Sequence, residues 1–181
     1  MRLVILGLLA FLVCGPISAE MLVVLDMDGE LGNGPDSVFV EPQDSIAVAV
    51  WLVGDLLGAD FYGFAVFVVD NGPLAFLGGE ILTPAPWVSD LSENGDTVSI
   101  VAMHPTLGGS PEGTFLVAIL QYVAAAEETL GELGVDLARS GFAVDFGPTC
   151  FFDDFVGAKI MIGGNTATEQ PTWGAIKTLF R

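Results

Sequence analysis

Hydrophobic and polar positions alternate along several short segments of the chain. Residues 45–53 show the pattern best, because every second position from Ile46 to Leu52 is a large aliphatic residue. This period of two places the aliphatic side chains on one face of a β-strand and leaves Ala47, Ala49 and Trp51 on the other face. The segment is therefore predicted to be a strand with one face in a hydrophobic core.

Residues 61–79 read FYGFAVFVVDNGPLAFLGG and contain a longer apolar run. Both alternating faces of residues 61–70 are apolar, which predicts a central strand covered on both sides. The sequence Asn71-Gly72-Pro73 is turn-forming, and residues 74–82 are apolar again. We expect two adjacent core strands joined by this turn.

Similar short runs recur along the chain, separated by Gly, Pro, Asn and Asp. Further strands are expected in residues 21–26, 37–41, 97–105, 114–126, 130–137, 142–147 and 158–164, and Asn94-Gly95 is expected to form a hairpin turn. Strands at this spacing with turn residues between them indicate an all-β sandwich or barrel. Most acidic residues lie in the expected loops.

The two ends of the chain differ from this pattern. Residues 1–19 combine a basic start with a short apolar run and end in Ala19, as secretory signal peptides do. The run is too short to span a bilayer. Leu12-Val13 precede Cys14 where a lipid anchor would require small residues, so cleavage after Ala19 and export are expected. Residues 20–165 are predicted to form one domain.

Residues 166–181 form a C-terminal tail in which a short helix is expected. Pro171 or Thr172 could begin it, and the apolar residues then share one face, namely Trp173, Ile176, Leu179 and Phe180. A packed helix and a basic sorting or docking tag are both compatible with this sequence.

The composition is strongly acidic, with 23 Asp and Glu against 5 Lys and Arg and a formal net charge of −18. Such a surface repels nucleic acid and anionic lipid and favours solubility. The chain is expected to be monomeric or weakly associating. Cys150 is the single cysteine after the predicted signal peptide, so no intramolecular disulfide is expected, and we predict a small buried side chain there.

Five stretches taken together resemble the sequence pattern of cohesin modules. They are Asp44 to Val50, Gly63 to Phe67, Asp70 to Phe76, Gly113 to Tyr122 and Leu130 to Leu137. The resemblance spans residues 36–164 and rests on hydrophobic patterns. It implies a nine-stranded antiparallel jelly-roll sandwich of two sheets, possessing no catalytic function, that binds another protein, typically a dockerin, through one sheet face.

Carbohydrate-binding modules with the same jelly-roll sandwich would satisfy much of this pattern. A polysaccharide ligand would require exposed aromatic rings on which sugars could stack. Trp87, in the loop TPAPWVSD, and Trp51, on the less bulky face of its strand, are the candidate ligand-binding residues. Core packing is the alternative role for both.

No residue set indicates catalysis. His104 is the single histidine, and Ser110 lacks the strand–turn–helix context of a nucleophile elbow. Neighbouring residues on a strand point to opposite faces, so the pairs Glu127-Glu128 and Asp153-Asp154 would not converge on one sugar. An enzyme is therefore not expected.

The loop LDMDGELGNGPD is rich in carboxylates. Asp26, Asp28, Glu30 and Asp36 are candidate ligands for a structural calcium ion, which takes six to eight oxygen atoms from a flexible loop. Gly29 stands too early for an EF-hand, and no Glu closes the loop. Calcium is the one cofactor considered, and an acidic loop without a ligand is the alternative.

Overall fold

A computed structural model describes residues 20–27, 31, 36–58, 60–106, 109–144 and 149–163. These residues form thirteen β-strands and no helix. The strands are β1 Met21–Asp26, β2 Asp36–Val40, β3 Ser45–Gly54, β4 Phe61–Asp70, β5 Leu74–Ile81, β6 Val88–Asn94, β7 Thr97–Met103, β8 Gly113–Ala124, β9 Thr129–Val135, β10 Gly141–Val144, β11 Cys150–Phe151, β12 Asp154–Val156 and β13 Ala158–Ile162. The expected C-terminal helix lies outside the described residues.

The strands form two sheets. The five-stranded sheet has the order β12-β1-β3-β8-β5. In the eight-stranded sheet the order is β6-β7-β4-β9-β13-β2, and β10 and β11 lie beside the first half of β4. The predicted all-β sandwich is confirmed. The expected count of nine strands was too low, and two pairs are parallel, β1 with β12 and β2 with β13.

The core lies between the sheets and follows the alternation read from the sequence. Ile46, Val48, Val50 and Leu52 of β3 all point inward and are buried. Full burial of a side chain of this size contributes about 1.5–3 kcal/mol. The opposite side chains of β3, Trp51 among them, point out of the sandwich.

Strand β4 is central in its sheet, as predicted, but β5 is not its neighbour there. The turn at residues 71–73 carries the chain from the eight-stranded sheet to the five-stranded one. Asp70 shapes this turn, since its carboxylate accepts hydrogen bonds from the backbone N–H of Gly72 (2.8 Å) and Leu74 (3.1 Å). A Cβ atom at Gly72 would lie 2.7 Å from the Cα of Gly131, so the close approach requires glycine. The expectation that β4 and β5 lie side by side is therefore corrected: they belong to opposite layers.

Strands β6 and β7 form the expected hairpin. Asn94 pairs with Thr97, so the two turn residues are Gly95 and Asp96, one position later than predicted. Gly95 has a φ of 66°, a conformation that glycine adopts at little cost.

Strands β9 and β10 both pair with β4 along one edge, and residues 136–140 interrupt them. The interruption supplies the hydrogen bonds that Phe67 would otherwise lack. Asp136 N–H donates to the Phe67 carbonyl (2.9 Å), and Phe67 N–H donates to the Oγ of buried Ser140 (3.0 Å). This excursion carries Arg139 onto the outer face of the eight-stranded sheet.

Candidate interaction surface

The outer face of the eight-stranded sheet carries an apolar patch at the end where β4 begins. Pairing places Val88 of β6 beside Met103 of β7, and Met103 beside Gly63 of β4. Val88 is 65% exposed and Met103 54%. Val101 occupies the next outward position of β7, and exposed Phe151 of β11 lies beyond β4. These four large side chains, Val88, Val101, Met103 and Phe151, are called the first patch.

A second patch lies at the opposite end of the same face. Met161 of β13 pairs with Leu130 of β9 on one side and with Phe39 of β2 on the other. Phe39 is 78% exposed and Leu130 is also exposed, while Met161 between them is half-buried. These three residues form a row across three strands.

Arg139 occupies the surface between the two patches. Its guanidinium lies over the ring of Phe67, with Cζ 4.7 Å from the ring centroid. Its Nε donates to Asp136 Oδ2 at 2.6 Å, and Nη2 reaches the Oγ1 of Thr97 at 3.5 Å. The hydrogen bond from Arg139 holds the pKa of Asp136 below its usual value.

The second basic side chain of the described residues lies on the same face. Lys159 points outward from β13, and it pairs across the strands with Glu132 of β9 and Ser37 of β2. Both described bases therefore lie on a face that also carries the exposed apolar residues, in a chain of net charge −18.

Trp87 does not form a ligand platform. Its side chain is only 9% exposed and packs among Phe61, Phe64, Phe115 and His104, with ring centroids 5.5–6.3 Å away. The ligand-binding role considered for Trp87 was therefore wrong, and the alternative role, core packing, is the one observed. Val88, the first residue of β6, points outward, and Trp87 before it points into the core, which the apolar character of both residues did not reveal.

Trp51 lies on the outer face of the other, five-stranded sheet, as the alternation in β3 predicts. The side chain is half-buried, and its indole Nε1–H donates to Asp26 Oδ2 at 3.1 Å. The indole therefore extends across β1 and covers part of it. Trp51 and Trp87 point to different sides of the five-stranded sheet and do not form one aromatic row.

The candidate calcium ligands are described only in part. Asp26 is the last residue of β1 and is buried, and Asp36 is the first residue of β2. Asp28 and Glu30 lie outside the described residues. Within the described ranges no three His, Cys, Asp or Glu side chains come together as a metal site. The calcium site stays a prediction.

The remaining reactive residues lie within the packing of the sandwich. His104 is buried against Trp87, and its Nδ1 contacts the backbone of Thr106. Cys150 is half-buried and packs against the core. Of the Asp153-Asp154 pair, Asp153 accepts a hydrogen bond from the backbone N–H of Met21 at 2.7 Å.

Comparison with known proteins finds similar solved structures but no match to a protein-family model or a curated protein. No protein-family model matches the chain, and no curated protein matches it either. A search of solved structures, in contrast, finds the same two-sheet arrangement repeatedly. A non-cellulosomal cohesin from the archaeon Archaeoglobus fulgidus superimposes with a TM-score of 0.58, covering 85% of this chain and 99% of that one at 9% identity.

The chain has a cohesin-type fold. A ScaB type I cohesin from Pseudobacteroides cellulosolvens is similar with a TM-score of 0.60 at 14% identity, over 83% of this chain and 97% of that one. A type I cohesin–dockerin complex from Clostridium thermocellum matches with a TM-score of 0.54 at 12% identity, over 80% and 99%. The resemblance seen in the sequence is therefore confirmed at the level of the fold.

This cohesin-type domain exposes a face whose residues the sequence reasoning did not single out. Val101 and Met103 belong to a strand in which both faces carry apolar residues, so their exposure was not visible in the pattern. None of the described residues forms a helix with the length and hydropathy needed to cross a bilayer.

Proposed function

We propose that this chain is an exported, non-catalytic protein-binding module that binds a dockerin-type partner through the outer face of its eight-stranded sheet. The choice of this surface rests on one observation. Seven large hydrophobic side chains are exposed among the described residues, and six of them, all except Leu77, belong to this face. Exposed apolar groups concentrated on one side of a soluble domain mark an interaction site.

The charge distribution supports the same face. Protein interfaces are depleted of Asp, Glu and Lys at their centre and enriched in Arg, Met and aromatic residues. The first patch contains Met103 and Phe151, and Arg139 lies between the two patches with its charge balanced by Asp136. Exposed Asp90 pairs with Val101 on the same face, so the first patch is apolar but has an acidic residue beside it.

The class of partner comes from the similar structures. The Clostridium thermocellum cohesin with this fold was solved as a complex with a dockerin. The predicted signal peptide in residues 1–19 supports a location outside the cytoplasm, where such a partner would be met. A polysaccharide ligand is not favoured, because Trp87 is buried.

Isothermal titration calorimetry tests the proposal. The chain from Glu20 to Arg181 is titrated with a panel of purified dockerin modules, and binding by at least one is expected. Met103→Asp and Val88→Asp place a charge in the first patch and should each weaken that binding roughly tenfold or more.

Leu77→Asp is the matched control for these variants. Leu77 is 60% exposed, comparable to Val88 and Met103, but it belongs to the five-stranded sheet. Its substitution should leave the affinity unchanged. Equal weakening by all three variants would contradict the assigned face, and no binding to any dockerin of a broad panel would contradict the partner class.

A further inference from the structure

Two Asn-Gly sequences occur in the described residues, and the fold places them in different surroundings. Asn71-Gly72 lies in the turn between β4 and β5, and Asn94-Gly95 lies at the hairpin turn between β6 and β7. An asparagine followed by glycine can lose ammonia without an enzyme, because glycine has no side chain to shield its backbone nitrogen from the asparagine amide. On local sequence alone, the two asparagines would react alike.

The reaction begins at the backbone nitrogen of the glycine. The N–H gives its proton to a base in the solvent, and the nitrogen bonds to Cγ of the asparagine. The Cγ–Nδ2 bond then breaks as the amide nitrogen takes up a proton and leaves as ammonia, which closes a succinimide ring. Water opens the ring at either carbonyl, restores the glycine N–H and leaves aspartate or isoaspartate. A hydrogen bond that occupies the glycine N–H therefore slows the reaction.

Gly72 is restrained in this way and also by packing. Its N–H donates to the Asp70 carboxylate at 2.8 Å, and that negative charge disfavours loss of the proton from the nitrogen. A Cβ atom on Gly72 would lie 2.7 Å from the Cα of Gly131, so the peptide has little room to move. The N–H of Asn71 donates to the carbonyl of Glu132 at 2.9 Å. The turn therefore protects Asn71.

Gly95 has none of these restraints. Among the described residues, no group accepts a hydrogen bond from its N–H. A Cβ atom placed on Gly95 would meet nothing within 4 Å, so the space around the turn is open. Asn94 is exposed, and its side chain makes no hydrogen bond to the part of the chain that the structure describes. Both reacting groups are thus accessible to each other and to water.

We propose that Asn94 is a modification site, where the folded protein loses the side-chain amide spontaneously and acquires aspartate or isoaspartate. Asn71 keeps its amide because its turn holds the Gly72 N–H. The reaction consumes only water and releases only ammonia. The selectivity between the two asparagines comes from the fold.

The modification changes the outer face of the eight-stranded sheet. Asn94 pairs with Thr97 of β7, and the Oγ1 of Thr97 lies 3.5 Å from Nη2 of Arg139. A carboxylate at position 94 therefore adds a negative charge near Arg139. Isoaspartate also lengthens the backbone at the end of β6, which disturbs the pairing with Thr97. The chemistry at Asn94 does not depend on which partner binds this face.

Peptide mapping by mass spectrometry tests the site. The folded chain from Glu20 to Arg181 is incubated at mildly alkaline pH, and samples are digested with pepsin in acid, where amide loss is slow. Electron-transfer fragmentation distinguishes aspartate from isoaspartate. We expect both products at position 94, formed at least about tenfold faster than at position 71. An unchanged Asn94, or equal rates at the two positions, would overturn the proposal.

Unfolding the chain separates the effect of the fold from that of the local sequence. In guanidinium chloride the Asp70 hydrogen bond and the packing of Gly72 are lost, so the rate at Asn71 should rise to within about threefold of the rate at Asn94. An Asn71 that stays slow in the unfolded chain would show that its turn is not what protects it, and the proposal would fail.

A pair of glycine variants tests the role of the Gly95 nitrogen. Gly95→Ala adds a Cβ that shields this nitrogen and should slow amide loss at Asn94 at least about tenfold. Gly113→Ala is the matched control, because Gly113 also has a positive φ and open space around it, and the rate at Asn94 should not change. An unchanged rate in Gly95→Ala would contradict the proposed route. No dockerin enters these measurements, so this proposal and the proposed function fail separately.

Discussion

The guanidinium of Arg139 lies 4.7 Å from the centre of the Phe67 ring on the outer face of the eight-stranded sheet. This contact exists because β9 and β10 are interrupted opposite Phe67, and the interrupting residues 136–140 return hydrogen bonds to the Phe67 backbone. An irregularity in the sheet thus positions the one described arginine at the centre of the candidate interface.

Substitution of Arg139 tests the energy of that contact. Arg139→Ala removes a cation–π pair and an ion pair that are both solvent-exposed, so we expect a loss of about 0.5–1 kcal/mol in the free energy of unfolding. Urea denaturation measures it. Lys159→Ala, on the same face, should change stability by less than about 0.5 kcal/mol. An equal loss of unfolding free energy in the two variants would show that the contact of Arg139 with Phe67 does not stabilise the fold.

Substitution of Ser140 should lower the free energy of unfolding more than substitution of Arg139. Its Oγ is buried and accepts the hydrogen bond of the Phe67 N–H, so Ser140→Ala leaves a backbone donor of the central strand unsatisfied. The expected cost is about 1–3 kcal/mol by urea denaturation. Ser92→Ala, at an exposed position of β6, is the control and should be nearly neutral. A neutral Ser140→Ala would mean that water or a backbone shift replaces the bond.

Tyr122, unlike Ser140, carries a buried hydroxyl whose removal should not lower stability. Its hydroxyl is buried without a hydrogen-bond partner among the described residues, and burial raises the pKa of Tyr122. Tyr122→Phe removes only this hydroxyl and retains the edge contact with Phe76. We expect unchanged stability or a gain of up to about 1–2 kcal/mol. A clear loss in thermal denaturation would indicate that the hydroxyl is hydrogen-bonded in solution.

Asp70 should make stability dependent on pH. Burial raises the pKa of Asp70 above its usual value of 3.8, and the hydrogen bonds from Gly72 and Leu74 oppose this rise only in part. The folded state therefore binds the proton more tightly than the unfolded state. The corresponding stability is fully present below pH 3.8 and is lost as the pH rises through the raised value.

Asp70→Asn isolates this effect, because an amide does not titrate. The difference in unfolding free energy, wild type minus Asp70→Asn, should fall as the pH rises from below 3.8 to neutrality. Asp136→Asn should give the reverse trend, since the pKa of Asp136 is lowered and its contribution is lost on acidification. A difference for Asp70→Asn that rises with pH would contradict the direction of the shift.

The calcium prediction from the acidic loop can be checked by melting. If the carboxylates near Asp26 bind calcium, the metal should raise the melting temperature and a chelator should lower it. The paired substitution Asp28→Asn and Glu30→Gln should abolish the difference, whereas Glu127→Gln, in the β8–β9 connection, should not. An identical midpoint with and without chelator would exclude a stabilising ion.

The sequence predicted the sandwich because alternation in β3 and the apolar run of β4 depend on local spacing alone. It did not predict the parallel pairs, since β1 and β12 are separated by about 130 residues and their pairing depends on contacts far apart in the sequence. The residues of the candidate interaction surface were harder to predict from the sequence. Trp87 looked like an exposed loop residue because it follows two prolines, and the exposed Met103 could not be distinguished from the buried Ala102 by composition.

The two parallel strand pairs also affect the order in which the domain can fold. Strands β1 and β2 come from the beginning of the chain, and they hydrogen-bond to β12 and β13, near its end. If the chain is exported amino terminus first, β1 can pair with β3 early, whereas β2, whose described partner is β13, must wait until nearly all of residues 20–163 have emerged. Contacts of such long range form slowly, and until β12 and β13 pair, β1 and β9 are edge strands whose unpaired backbone groups favour aggregation.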